Sequence, residues 1–204
     1  MPTETPSRVR QGFTEPWRDR LPMPAADAMT AQQREAADAL VAGPRKGVYG
    51  PFLPLLRSPQ LLERVARVGE YLRFDSVLDT RIRELVTCAA ARHVTNQFEW
   101  AMHAPLAVKA GVSEATLEAL RVGARAKALP ADEEIALDFA AELLNTHGVS
   151  EPAYAAAATQ FGEQGVVELT SLLGYFVMVC WLMNVGHTPA QATAQGFALQ
   201  AFPG

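Results

Sequence analysis

Apolar residues recur along most of this chain at helical spacing, and no stretch alternates with period two for long enough to argue a strand. Thr30 stands three residues before Gln33, the spacing of a capping box, and opens an Ala- and Leu-rich run that Gly43-Pro44 stops. Ser58 caps a helix over about 58–74, and Asp79 caps another over about 79–93. The next covers roughly 96–110 and ends at Gly111; Ser113 opens one to about residue 125. Pro130 precedes a helix that ends near His147-Gly148, Ser150 starts a short one, and a last helix fills 163–185 before Gly186 and Pro189. The pattern predicts an all-α fold of seven or eight helices joined by short loops.

Two segments depart from it. Residues 1–29 hold five prolines and little periodicity, which predicts an extended arm lying on the body or on a neighbouring subunit. Residues 43–56 hold three glycines, three prolines and two aromatics, Tyr49 and Phe52. Such a stretch is either a functional loop or a long connection pinned to the core by Phe52 and Leu53. The organisation read from this is an arm at 1–29, a helical domain at 30–190 and a tail at 191–204. Glu84-Leu85-Val86-Thr87 and Glu168-Leu169-Thr170-Ser171 open two apolar helices alike, a faint sign of paired halves that the helix dipole also accounts for.

Composition narrows the function classes. The 204 residues, 49% hydrophobic and 20% charged, suffice for one sizeable domain. With 18 Lys+Arg against 22 Asp+Glu the net charge is −4, so no basic field exists for a phosphate backbone and no nucleic-acid partner is expected. Two cysteines, Cys88 and Cys180, are too few for a disulfide framework. The N-terminus has no apolar signal core, and the longest apolar stretch, 172–185, is short for a bilayer and broken by Gly174 and Asn184. A soluble, cytoplasmic protein without a membrane partner is the expectation.

The candidate chemistry sits in RELVTCAAARHVTNQFEWAMHAPLAVKAGVS, residues 83–113. Asn96, Glu99 and His103 are spaced i, i+3, i+7 and fall within about 60° on one helix face. Glu84 precedes them by twelve residues, and a break at His93-Val94-Thr95 would fold its helix back toward the same place. A glutamate within reach of a histidine on an apolar helix is an acid–base pair in outline. The same residues fit a second reading. Asn96 and Glu99 match an N-cap with its third-position carboxylate, His103 a core histidine, and Glu84 a partner for an arginine such as Arg92.

The stretch resembles the carboxymuconolactone decarboxylase / alkylhydroperoxidase (AhpD-like) family. The redox branch of that family carries a glutamate, eleven residues, Cys-x-x-Cys, three residues and a histidine. Here the frame is Glu84, eleven residues, Asn96, two residues, Glu99, three residues, His103, so both cysteine positions are replaced. Glu99-Trp100 is similar to the decarboxylase-like branch. The resemblance extends over roughly 40–190, through Gly50-Pro51-Phe52 and AVKAGVSEATLEAL to Gly174-Tyr175, Met178 and Asn184.

The resemblance implies an AhpD-like helical domain and a cofactor-free, metal-free site, although Glu84, Glu99 and His103 would form a usable ligand set. It implies decarboxylation, or related lyase or isomerase chemistry, of a small unsaturated lactone or carboxylic acid, as in aromatic compound catabolism. His103 is then the general acid, Glu84 its orienting partner and Glu99 a proton relay or substrate-positioning group. Substrate-binding candidates are Asn96 as a donor to the lactone oxygen, Tyr49 in the closing loop, Arg92 as a carboxylate clamp, and His93. His147 and His187, at helix ends, read as structural. Lone apolar-flanked cysteines behave as small hydrophobes, which weighs against the alternative of a thiol peroxidase. A further alternative is a non-enzymatic helical oligomer that binds a hydrophobic ligand or partner. Self-association is expected in any case. The helix at 172–185 is apolar nearly all round and must be covered, and the resemblance implies a trimer or hexamer.

Overall fold

The computed structural model describes residues 18–191 and 198–199, together with the backbone of Arg8 and Val9. Among these residues the fold comprises eight α-helices, a single π-turn and one two-residue strand pair. The helices are α1 (Ala31–Ala42), α2 (Phe52–Leu55), α3 (Pro59–Glu70), α4 (Thr80–His93), α5 (Gln97–Ala110), α6 (Glu114–Arg121), α7 (Ala131–Thr146) and α8 (Glu151–Gly186). The π-turn, Tyr71–Asp75, continues α3.

Most boundaries follow from local chemistry. Thr30 and Gln33 form a reciprocal capping box, with Gln33 N–H donating to Thr30 Oγ1 at 3.2 Å and Thr30 N–H to Gln33 Oε1 at 2.9 Å. Asp79, Asn96, Ser113 and Ser150 each cap the helix that follows. Ser58 occupies the cap position of α3 without a capping bond, and Pro59 supplies the preset first-turn backbone instead. α6 ends at Arg121, short of the predicted residue 125. The two last predicted helices run as one long α8 with a break at Gly162, whose φ of +72° and ψ of 169° interrupt the helical path.

Three features were not expected. The irregular 43–56 segment contains α2, and Phe52, Leu55 and Leu56 rather than Leu53 anchor it in the core. The last four residues of the predicted 58–74 helix belong to the π-turn. A strand pair is also present, where β1 (Arg8–Val9) lies antiparallel to β2 (Ala190–Gln191). Two-residue strands are too short to show any alternation in sequence. The described part of the N-terminal arm lies on the body, with Arg20 N–H donating to Gly186 O at 2.8 Å.

The core is built around α4, which packs on α5, α7 and α8. Its Ile82, Val86 and Ala90 enter one buried cluster with Leu56, Phe139, Leu169, Leu172 and Phe176. Its Leu85, Cys88 and Ala91 enter a second, with Trp100, Ala107, Leu117 and Cys180. An element buried on two faces has little room for a polar stripe, which is why α4 reads as only weakly amphipathic. α8 is long and apolar enough to cross a membrane by length and composition. Here Leu169, Leu172, Leu173, Phe176, Val179 and Met183 make it a core helix.

Candidate functional site

The corner between α4 and α5 positions the site. α4 ends in a Schellman motif, with Asn96 N–H donating to Ala91 O at 2.8 Å and Thr95 N–H to Arg92 O at 3.0 Å. Thr95 takes the left-handed conformation, φ +50°, that the motif demands. The chain reverses there, and α5 runs back along α4. The Asn96 side chain then starts α5, its Oδ1 accepting from Glu99 N–H at 2.9 Å. Both amide hydrogens of Asn96 reach α8, one to Cys180 O at 3.1 Å and one to Asn184 Oδ1 at 2.9 Å. Asn184 in turn donates to Val94 O at 2.9 Å. The two asparagines therefore latch the corner to α8.

The reversal brings Glu84, Glu99 and His103 together. His103 Nδ1 lies 2.6 Å from Glu84 Oε2, and Nε2 lies 3.1 Å from Glu99 Oε2. Glu99 cannot complete a capping box on Asn96, because the Asn96 N–H is already given to Ala91 O. Its carboxylate goes to His103 instead. The His103 and Glu99 side chains are 5% and 6% exposed against 13% for Glu84, so Glu84 is the member nearest water. Phe176 of α8 closes the site edge-on to the imidazole, with ring centroids 5.0 Å apart. Burial by itself would lower the His103 pKa. Hydrogen bonds to Glu84 and Glu99, and then their charges, outweigh it and hold the imidazole above its ordinary value. The arrangement is a buried imidazole with a carboxylate beside each nitrogen, nearest to solvent at Glu84.

The other predicted site residues are placed differently. Asn96 is fully buried with both of its amide hydrogens donated, so donation to a substrate oxygen would require giving up the latch. The Tyr49 hydroxyl donates to Arg45 O at 2.9 Å within its own loop. The neighbouring Gly50, at φ +57°, lies so close to Phe98 that a Cβ there would sit 2.5 Å from the ring. That contact sets the loop against the first turn of α5. Arg92 and His93 line a separate cleft, of about 320 Å³, whose walls include none of Glu84, Glu99 or His103. At the C-terminal end of α4 they are rotated away from Glu84. His147 and His187 cap α7 and α8 in the left-handed conformation, at the helix ends where they were expected.

Both cysteines are free and fully buried. Burial, followed by the charges of Glu84 and Glu99, pushes the Cys88 thiol well above its ordinary pKa. Burial and Glu99 do the same to Cys180. Sequence reasoning did not offer Phe176, Tyr175 or Arg45 as site residues. Burial pushes the Tyr175 phenol up to about 12, with the Arg45 charge opposing and that of Glu99 assisting. Arg45 is buried, stacked over Phe52 at 4.7 Å and bonded to Ala66 O at 2.9 Å. An arginine in a Gly/Pro-rich loop carries no spacing signal, so only the fold could reveal it. Asn184 did leave a trace, as the one amide in an otherwise apolar run.

Comparison with known proteins bears on the family and the fold. Residues 59–142, from α3 to α7, match the sequence model of the carboxymuconolactone decarboxylase family. No curated protein matches the chain. Two solved structures share the fold. One is the AhpD core of an uncharacterized peroxidase-related protein from Ralstonia eutropha JMP134, with TM-score 0.68 and 18% identity over 87% of this chain and 94% of that one. The other is an Agrobacterium tumefaciens protein of unknown function, described in connection with AhpD antioxidant defence, with TM-score 0.55 and 19% identity over 74% of this chain and 95% of that one. The matched segment contains Glu84, Asn96, Glu99 and His103, so the chain combines a match to the carboxymuconolactone decarboxylase family model over residues 59–142 with an AhpD-like all-helical fold.

Proposed function

We propose that the protein is a cofactor-independent decarboxylase, or a related lyase or isomerase, acting on a small unsaturated lactone or carboxylic acid through Glu84, Glu99 and His103. The family segment and the fold support a function of the decarboxylase or peroxidase-like kind. The observation that carries the finer reading is the doubly flanked His103, 2.6 Å from Glu84 and 3.1 Å from Glu99. Decarboxylation breaks a C–C bond and leaves its electron pair on carbon, where a conjugated carbonyl delocalises it as an enolate. The His103 imidazolium then gives a proton to that carbon, through Glu99 on its Nε2 side. A new C–H bond forms, CO₂ leaves, and His103 regains its proton from water through Glu84. Exclusion of water around the buried pair strengthens the interaction of the imidazolium with a developing enolate.

The thiol-peroxidase alternative is less well supported. The two positions that would hold its cysteines are Asn96 and Glu99, and the thiols present are buried with raised pKa values. We also propose that the chain self-associates as a homo-oligomer, a trimer or hexamer being favoured, through an exposed apolar stripe on α8.

The test is a screen of muconolactone-type and other unsaturated carboxylic acids for CO₂ release, followed by variants. His103→Ala should lower turnover roughly 10²–10⁴-fold, the usual contribution of a positioned proton donor. Because the His103 pKa is raised, turnover that needs the imidazolium persists above its ordinary value and falls as pH rises through the raised one. Glu84→Gln removes a charge that raises it, so the fall should move to lower pH. An alkaline limb that stays in place in Glu84→Gln sinks the pairing. Cys88→Ala and Cys180→Ala should stay within a few-fold of the parent rate, and loss of turnover in a folded cysteine variant would overturn the thiol-free mechanism.

A further inference from the structure

Ala198 and Leu199 lie against the start of α5, held there by side chains of two helices. Gln97, the first residue of α5, engages both backbone groups of Leu199. Its Nε2 donates to Leu199 O at 2.9 Å, and Leu199 N–H donates to its Oε1 at 2.8 Å. One side-chain amide thus satisfies the donor and the acceptor of one residue, as a neighbouring strand would. Arg121, the last residue of α6, donates to Ala198 O at 3.3 Å. The Leu199 side chain is 5% exposed and belongs to the buried cluster that holds Leu85, Trp100, Leu117 and Cys180. Leu85 and Trp100 are the chain neighbours of Glu84 and Glu99.

The two carboxylates beside His103 are held differently. Glu84 stands on α4, the helix buried on two faces. Glu99 stands in the first turn of α5, and among the described residues its carboxylate has no hydrogen-bond partner besides His103, at 3.1 Å. Its place is therefore set by how that turn is anchored. Asn96 ties the turn to α8. Gln97 ties it to Leu199, whose cluster Trp100 shares. We propose that Leu199 is a positioning residue for the Glu99–His103 contact, fixing the first turn of α5 and with it the reach of Glu99 to His103 Nε2. A turn that loses one of its two ties is free to tilt, and a contact of 3.1 Å has little slack before the hydrogen bond is lost. The consequence for turnover rests on the decarboxylase reading, whereas the placement of Glu99 does not.

The test labels the histidines of the full-length chain with nitrogen-15 and reads both ring nitrogens of His103 by NMR. It is run at about pH 5.5, where the raised pKa of His103 keeps both protonated. The chain has four histidines, so His93, His147 and His187 serve as internal controls. Leu199→Ala and Gln97→Ala should each move the Nε2 resonance, which faces Glu99, more than the Nδ1 resonance, which faces Glu84, with the other three rings in place. Leu199→Met, of similar volume, should keep the parent Nε2 position. Leu117→Ala opens a cavity in the same cluster without touching the Gln97 bonds and should leave Nε2 where it is. Should Leu199→Ala fail to fold, Gln97→Ala decides, because it keeps the leucine. With a substrate in hand, Leu199→Ala should lower kcat roughly tenfold to hundredfold at a KM within about twofold of the parent. The proposal is overturned by an Nε2 resonance that stays in place in the folded variants, by equal movement of Nδ1, or by a Leu117→Ala shift as large as that of Leu199→Ala. The ring resonances need no substrate, so a screen without CO₂ release overturns the decarboxylase reading and leaves this test standing.

Discussion

Glu168 accepts hydrogen bonds from Tyr71 Oη at 2.6 Å, Ser76 Oγ at 2.5 Å, Val77 N at 2.8 Å and Gln164 Nε2 at 2.8 Å. Burial would raise its pKa, yet these donors together hold it down at about 2 against an ordinary 4.5. The sequence offers it as a helix-start glutamate facing a dipole. In the fold it lies past the kink at Gly162 and ties the π-turn and the segment after it to α8. A carboxylate whose folded pKa is depressed contributes stability above about pH 4.5 that is lost as the pH falls toward 2. The size of the shift corresponds to up to about 3 kcal/mol. Glu168→Gln should therefore lower stability at neutral pH by about 2–3 kcal/mol and flatten the acid limb of a denaturation-versus-pH series. An acid limb identical to that of the parent would mean that other carboxylates set it.

The α4–α5 corner combines a left-handed Thr95, the Asn96 cap and the Asn96–Asn184 latch. Had Asn96 been a cap alone, Asp would replace it with little loss, since the two are near-equal caps. The latch predicts otherwise. Asn96→Asp keeps an acceptor for Glu99 N–H but loses both donated bonds and sets a carboxylate against Asn184 Oδ1 and Cys180 O. Both Asn96→Asp and Asn96→Ala should cost about 2–4 kcal/mol in chemical denaturation, beyond the roughly 1 kcal/mol of a lost cap. Near-parent stability of Asn96→Asp would remove the latch. The caps of α1, α4 and α6 were readable because each depends on residues within a turn of one another. The π-turn and α2 were not, since each is fixed by contacts to distant elements.

α4 is covered by its own chain, whereas α5 leaves Met102 and Val108 exposed and α8 is not covered all round. Val167, Met178, Trp181 and Val185 are 64%, 37%, 59% and 64% exposed, and with Ser171 and Gly174 they form one stripe spaced four and three residues apart. Along a helix these positions fall within about 80° of one another, the geometry of a helix-packing seam. Nothing lies within 4 Å of where a Cβ on Gly174 would be, so a partner helix could approach there. A contiguous apolar strip of this kind marks an association surface. Light scattering should give a multiple of the 22.1 kDa chain mass. Trp181→Glu should shift the distribution toward the monomer without loss of helical signal. A monomeric parent protein at micromolar concentration would dismiss the seam.

What the sequence by itself determined is whatever rests on neighbours along the chain. That covers the helical class, the caps at Thr30, Asp79, Asn96, Ser113 and Ser150, and the spacing that puts Asn96, Glu99 and His103 on one face of α5. It could not decide whether Glu99 completes a capping box, because the bond that prevents it, Asn96 N–H to Ala91 O, belongs to the turn between two helices. Arg92 and His93 looked like site residues by proximity to Glu84 in sequence, yet helix rotation carries them to a different cleft. The meeting of Glu84 with His103, nineteen residues on, and of Asn96 with Asn184, eighty-eight residues on, came only with the tertiary structure. Such pairings depend on how the chain reverses and which faces are buried, and no local propensity encodes them.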